Sequence, residues 1–527
     1  MKTYQSHLKT TGAHGTLPIP NRKPVLKSSA IFPCIVRDDL DTRILYMGYW
    51  LIKRNIPEVS LLKTLRDDSG NILFRELQVI GDVRAYQVSV ADILRELQYQ
   101  STLFVGSIEL EIFSTRDLVF PYPAFVLNYV SETASTVVHT TGRIYNDLED
   151  LKENEDIKVA EAGFDITPRK DVDPYFAFVN GTVPTVDARI RLELVNAAQQ
   201  RRKKTLELGD LGAYQSCYVR FLDDEDRAFL GESKGTAILH HDLKGFFPRF
   251  IAGHILDSAN VISLTHTFYD TTGHRSEDAY WHNSDKSRFE DSAIAFPVRI
   301  DGDWYTEFVV YPNHSPAAMH FDIVLCTSDG RRVARVDNIF AVGPEDARLA
   351  HVDINALFSD VLPVQEGEQR YCALVIVRAE GPIPARLKFG LNIGERKGAD
   401  ISSNICFNAR VPDPAMLSKP FAFRWAPLET RGSSTLVLTN HSFERNYQRP
   451  ANVKLQFWSQ DSVPSIERQV RIAADGSYWF SLDQDEEIRS FFAGGPGWVT
   501  CECDNPFVSG WYLMDAGAGV IGADHAF

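Results

Sequence analysis

Of the 14 histidines in the chain, six lie between residues 240 and 282: His240, His241, His254, His266, His274 and His282. Asp242, Asp270, Asp278 and Asp285 accompany them. Imidazole with carboxylate is the donor set of zinc and non-haem iron sites. On the segment 262–270, alternation places His266 and Asp270 on the same face as Ile262, Leu264 and Phe268. His254 sits inside the apolar stretch 251–256. His240-His241-Asp242 contains a His-x-Asp triplet, and a distal His314 or His320 would complete a two-His, one-carboxylate iron site. The plainer reading of such histidines is a hydrogen-bonded core residue on an apolar strand. Tyr280-Trp281-His282 and Trp304-Tyr305 set aromatic rings among polar residues, the combination that stacks on sugar faces. The candidate ligand-binding residues are therefore His240, Asp242, His254, His266, Asp270, Trp281 and His282. No cofactor is expected on the plainer reading; a divalent metal at the His/Asp cluster is the alternative.

Other chemistry leaves no signature. The chain has no GxSxG elbow, Walker loop, GxGxxG or HExxH. Gly494-Gly495-Pro496-Gly497 reads as a turn, since no helix start follows it to cradle a phosphate. The seven cysteines are scattered, with no CxxC spacing, and read as reduced, buried thiols. The tail 519–527 reads as a docked terminal segment with a polar Asp524-His525 pair.

The elements that must position these residues recur. Four segments read as short strands ending in Asn55, Asn180, Asn313 and Asn440, at intervals of 125, 133 and 127 residues. Turn chemistry at a strand end explains these asparagines. After each comes a second strand, a polar turn such as Asp67-Asp68-Ser69-Gly70 or Thr327-Ser328-Asp329-Gly330, and a third strand. A fourth alternating stretch, a short acidic or helical connection (92–97, 223–230, 355–361, 483–492), and a fifth and sixth strand complete each copy. Short period-2 runs separated by Gly, Pro and Asp turns are the pattern of antiparallel sandwiches. The expected fold is all-β: four tandem antiparallel β-sandwich modules, Ig-like in size, from an internal repeat of about 127 residues.

The expected boundaries are an N-terminal extension over 1–40 and modules over 41–133, 134–260, 261–395 and 396–527. Residues 136–145 and 261–270 read as extra strands between copies, and 160–164 as a short helical window. The acidic run 147–156 reads as a solvated linker. Arg201-Arg202-Lys203-Lys204 reads as charge protecting a sheet edge, with a basic recognition patch as the sharper alternative.

Composition narrows the function. The 527 residues are 44% hydrophobic and 24% charged, an ordinary folded protein. The net charge of -15 argues against a nucleic-acid partner, which needs a basic footprint. No apolar run approaches the ~18 residues of a membrane span. The opening residues 1–7 are not followed by the apolar stretch of a secretory signal, which points to the cytoplasm. A repeat without a catalytic motif points to a non-catalytic, multi-module binding or scaffold protein, with carbohydrate or a protein as ligand. Two alternatives stand beside it: a metal-dependent enzyme acting on a saccharide through the 240–282 cluster, and a structural component of a larger assembly.

Overall fold

The computed structural model describes residues 24–145, 161–247, 249–268, 280–312, 315–344, 346–361, 370–384, 387–412, 414–461 and 464–527. Asp270, His274, Asn313, His314 and the acidic run 147–156 lie outside them. The chain divides into two compact units, chiefly residues 23–269 and 270–527.

Period-2 alternation becomes sheets with one dry face. In Ala451–Trp458 each odd position from Ala451 to Phe457 is buried and the positions between are not. The first sandwich holds β1 (Lys27–Arg37), β2 (Asp41–Met47), β3 (Val59–Asp67), β4 (Ile72–Ile80), β5 (Ala85–Ser89), β6 (Leu103–Phe113), β7 (Val126–Val130) and β8 (Ser135–His139). One sheet runs β1-β6-β3-β4 and the other β5-β2-β7-β8. The second sandwich holds β9 (Glu161–Ile166), β10 (Asp173–Val179), β11 (Thr185–Val195), β12 (Arg201–Leu211), β13 (Ser216–Arg220), β14 (Gly235–His241) and β15 (Ile251–Leu256). Its eighth strand is broken into β16 (Val261–Ile262) and β17 (Thr265–His266), and its sheets run β12-β11-β14-β9 and β13-β10-β15-β16.

The other unit repeats this order. A small sheet pairs β18 (Tyr280–Trp281) with β25 (Ile383–Pro384). The third sandwich holds β19 (Ser292–Arg299), β20 (Trp304–Val310), β21 (Met319–Thr327), β22 (Arg332–Val342), β23 (Ala350–Asp353), β24 (Arg370–Ala379), β26 (Lys388–Glu395) and β27 (Ile405–Asn408). Its sheets run β19-β24-β21-β22 and β23-β20-β26-β27. The fourth holds β28 (Ala422–Leu428), β29 (Ser433–Asn440), β30 (Ala451–Trp458), β31 (Ile466–Ile472), β32 (Ser477–Ser481), β33 (Gly497–Cys503), β34 (Val508–Asp515) and β35 (Ile521–His525). Its sheets run β28-β33-β30-β31 and β32-β29-β34-β35. All four copies are antiparallel sandwiches with one topology. Each carries a short helix in the connection expected for it, over Val90–Glu96, Asp224–Leu230, Ile354–Leu357 and Glu486–Phe491. Ser89, Asp223, Asp353 and Asp485 cap these helices by accepting a backbone N–H three residues on.

Several local readings change. The six-strand repeat has eight strands. Its first strand includes β1, which pairs along its length with β6 although the sequence places 1–40 in an extension. Residues 135–139 and 261–266 are eighth strands, so breaks at 133/134 and 260/261 fall one strand early; β27 likewise follows the break at 395/396. Residues 161–164 of the window expected to be helical belong to a strand, β9, paired with β14; residue 160 lies outside the described residues. Residues 50–55 are not a strand: Tyr49–Lys53 is a helical turn. Tyr49 and Trp50 are both buried and their rings lie 4.3 Å apart. Adjacent residues on a strand face opposite sides, whereas the turn brings these two rings together. The tail docks as β35, hydrogen-bonded to β34.

The asparagines reveal a longer period. Asn180 follows β10 and Asn440 ends β29 at the matching register, 260 positions apart. The Nδ2 of Asn180 donates to Leu211 O (3.3 Å) and Gly212 O (2.8 Å). That of Asn440 donates to Ile472 O (3.3 Å), Ala473 O (3.0 Å) and Arg449 O (2.9 Å). Gly48 and Tyr311 hold the matching places in the other two copies. Asn55 is thus not an equivalent of Asn180, and the clamp recurs every second sandwich. Replacing Asn440 by Ala would leave buried carbonyls without their donor; a loss of about 1–3 kcal/mol is expected in urea unfolding.

Within each unit the same turn-on-turn contact joins the two sandwiches. The Asp67–Gly70 turn of the first sandwich meets the turn after β12: Ser216 N donates to Asp68 O at 2.9 Å. The Thr327–Gly330 turn of the third meets the turn after β31: Ser477 N donates to Ser328 O at 3.0 Å. Gly70 and Gly330 have φ of +89° and +87°, and a Cβ on them would stand 2.3 Å from Ala213 O and 2.1 Å from Ala474 O. Only glycine fits either place. The third and fourth sandwiches also share apolar core: Trp511 packs edge-on against Phe407, ring centroids 5.2 Å apart.

Candidate functional site

Among the described residues the predicted His/Asp cluster does not converge. His240, on β14, is half-buried with Nε2 3.9 Å from Glu193 Oε2; burial pushes its pKa down, and Glu193 offsets part of that. Asp242 is exposed. His254, on β15, accepts a hydrogen bond from Thr167 N at 2.9 Å. Burial lowers its pKa to about 4, against a smaller opposing pull from Asp165. His241, which was not a candidate, packs on the Phe250 ring at 4.9 Å and is lowered by burial to about 4. His266 is buried on β17, its Nδ1 2.9 Å from Thr267 O and its ring edge-on to His139 at 4.7 Å. No three of His240, Asp242, His254 and His266 bring ligand atoms within 4.8 Å of one another. Asp270 lies outside the described residues. Trp281 and His282 belong to the other unit: Trp281 packs against the third sandwich's core and His282 is exposed. His320, on β21, is half-buried.

The other surface candidates are also engaged. The basic run on the edge strand β12 is met by acids: Arg202 Nε lies 3.0 Å from Asp226 Oδ1, Lys203 Nζ 3.2 Å from Glu193 Oε2, and Lys204 pairs with Asp223 and Asp226. Trp304 is buried beneath the Arg299 guanidinium, 3.5 Å from its ring centroid. All seven cysteines are buried as free thiols.

A different site appears where the third and fourth sandwiches dock. A cavity of about 550 Å³ is lined by the start of β22, by residues just before β19, and by the loops after β29 and β31. At its centre is Asp475, a buried residue held at φ +58° on the docking turn. Its Oδ1 lies 2.7 Å from His441 Nδ1, and its Oδ2 receives Arg332 Nε (3.0 Å) and Nη2 (2.8 Å). Burial raises the Asp475 pKa, but the His441 hydrogen bond and the Arg332 pair outweigh it and hold the carboxyl below its ordinary value. The carboxylate is therefore the acceptor, and His441 Nδ1 carries the hydrogen. His441 Nε2 is buried with no hydrogen-bond partner among the described residues.

The walls are charged and internally paired. Arg335 binds Asp337 (2.6 Å) and the buried Asp322 (2.7 Å), whose carboxyl is held below its usual range by Arg378, the Asn338 N–H and Arg335 against its desolvation. Arg445 binds Glu290 at 2.8 Å and Arg288 binds Glu444 at 3.0 Å. Tyr447 OH donates to Asn440 Oδ1 at 2.8 Å, which ties the cavity wall to the asparagine clamp. The arrangement offers guanidinium donors, carboxylate acceptors and a buried imidazole nitrogen, in a recess.

Sequence reasoning missed this site because its residues lie on different sandwiches. One signal was legible: the residue after the clamp asparagine is Gly181 in one copy and His441 in the other.

No family model matches the chain, and no curated protein matches it. One solved structure, described as a crystal structure of a tetra-tandem repeat in the extending region of a large adhesion protein, aligns at 9% identity. The alignment covers 89% of this chain and 91% of that one, with a TM-score of 0.08. A score that low carries no argument.

Proposed function

We propose that the chain is a non-catalytic binding or scaffold protein whose sandwiches present a ligand site at a docking junction. The observation that carries this reading is the contrast between frame and contents. The turn-on-turn contact and the asparagine clamp recur in both units, while the side chains around the contact differ. A constant frame with variable contents is how a structural module is adapted to recognition, since loops on a rigid scaffold carry binding. No helix among the described residues is long and apolar enough to cross a membrane.

A pull-down with the immobilised full chain, together with a glycan array, tests this reading. A specific protein or glycan partner is expected, and silence in both moves the weight to a purely structural component. The metal-enzyme alternative has its own test. Because the histidines of residues 240–266 are held by separate partners, chelation is expected to leave the melting temperature unchanged. His266→Gln is expected to change stability alone. A fall in melting temperature on chelation, with metal in the purified protein, would restore the alternative.

A further inference from the structure

We propose that the cavity between the third and fourth sandwiches is a saccharide-binding subsite in which a sugar hydroxyl completes the hydrogen bonding of His441 Nε2. This rests on the binding-scaffold reading and names the ligand class for it.

The molecule contains its own control. The two docking contacts match residue by residue: Ser216 corresponds to Ser477, Gly70 to Gly330, and Tyr214 (φ +57°) to Asp475 (φ +58°). By the same register Gly181 corresponds to His441 and Ile72 to Arg332. The first unit fills its junction with Tyr214, whose ring lies 4.2 Å from the Arg66 guanidinium. The second unit has an imidazole, a carboxylate and a guanidinium at those places, and a recess beside them. The docking contact therefore does not need His441, Asp475 or Arg332; something else accounts for them.

The chemistry of the recess selects its occupant. Asp475 accepts the Nδ1 hydrogen of His441, which fixes the ring and leaves Nε2 facing away from the carboxylate. A buried ring nitrogen without a partner among the described residues is an incomplete hydrogen-bond set. It calls for a ligand group that can bond it. Around it Arg332, Arg335 and Arg445 each engage acids through Nε or Nη2, and their Nη1 groups make no hydrogen bond among the described residues, while the Glu290 and Glu444 carboxylates beside them are acceptors. The ligand must therefore both donate and accept. Three guanidinium groups face three carboxylates (Glu290, Glu444 and Asp475), so these six groups balance in charge. An anion would meet Glu290 and Glu444 without a surplus of positive charge to hold it. A neutral polyhydroxyl compound meets each requirement, because every hydroxyl is at once donor and acceptor. The volume of about 550 Å³ falls in the range that encloses a small ligand. A metal is not indicated, since His441 belongs to no cluster of three ligand atoms among the described residues.

The test is isothermal titration of the full chain with cellohexaose, maltohexaose, xylohexaose and mannohexaose, beside a polygalacturonate fragment, inorganic phosphate and a mixed peptide library. Binding of at least one neutral hexasaccharide is expected, with at least a tenfold loss in His441→Phe. The triple variant Arg332→Ile, His441→Gly, Asp475→Tyr, which installs the first unit's residues, is expected to abolish it. If these variants fail to fold, the wild-type protein decides: with ¹⁵N-labelled histidine, the saccharide is expected to shift one Nε2 resonance as it gains a hydrogen bond. Binding of the peptides, phosphate or polygalacturonate in place of neutral sugars overturns the proposal. So does saccharide binding that His441→Phe leaves intact, or an unmoved Nε2 resonance; both leave the scaffold reading standing. Absence of any ligand here, in pull-down and on the glycan array removes both.

Discussion

Lowering the pH from 7 to 4 is expected to cost the second sandwich about 3 kcal/mol for each of His241 and His254. Both have a folded-state pKa of about 4 against 6.5 for the ordinary side chain, chiefly because burial disfavours the charged ring. As the pH falls below 6.5, the unfolded chain takes up these protons first. The stabilisation from keeping the rings neutral is complete above pH 6.5 and is lost progressively down to pH 4. His254 carries a further penalty on protonation, because its Nε2 would no longer accept from Thr167 N. Urea unfolding at pH 7.0 and pH 4.5, followed by circular dichroism, measures the effect. His254→Gln keeps a hydrogen-bond acceptor and does not titrate, so it should remove roughly half of the pH-dependent fall. A variant with the wild-type pH dependence would show that the ring is not held neutral.

The second large effect concerns the buried Arg66–Glu109 pair of the first sandwich. Arg66 Nη2 lies 2.8 Å from Glu109 Oε2, with both side chains almost wholly buried. Arg66 Nη1 and Glu109 Oε1 are buried without hydrogen-bond partners among the described residues. Burial raises the Glu109 pKa, and Arg66 offsets this in part. Arg66→Met strands a buried carboxylate and is expected to cost about 3–5 kcal/mol. The matching strands of the third sandwich carry Cys326 and Leu374 at these places. The apolar solution is thus already accommodated by the same frame. Arg66→Cys with Glu109→Leu is expected to lie within about 1 kcal/mol of wild type, since replacing a whole buried pair is often neutral. A double variant as unstable as the single one would contradict this. Thermal unfolding measures both.

Strand periodicity was readable wherever one sheet face is wet, as in β30, where buried and unburied positions alternate. It failed for β1, where residues 28 to 35 are all buried and no alternation survives. It failed again at Tyr49-Trp50, where a helical turn satisfies two adjacent aromatic rings. The repeat was legible, but its true period was hidden. Asn55 fell near the expected interval by chance, while the functional match is between Asn180 and Asn440. The histidine density of 240–282 was real in sequence, yet the topology spreads it over β14, β15, β17 and the other unit. The Arg332–Asp475–His441 site draws on residues 143 and 34 positions apart, brought together by docking, which no local pattern encodes.

One turn-on-turn contact recurs between the sandwiches of each unit and frames the cavity in the second. Hydrogen–deuterium exchange on full-length Gly330→Val probes this contact. A Cβ there stands 2.1 Å from Ala474 O, so the contact must open. Faster exchange is expected in peptides covering Ser477, Asp475 and His441, with the Ser216 region unchanged, and the mirror result for Gly70→Val. Unaltered exchange around Ser477 in a folded Gly330→Val protein would contradict it.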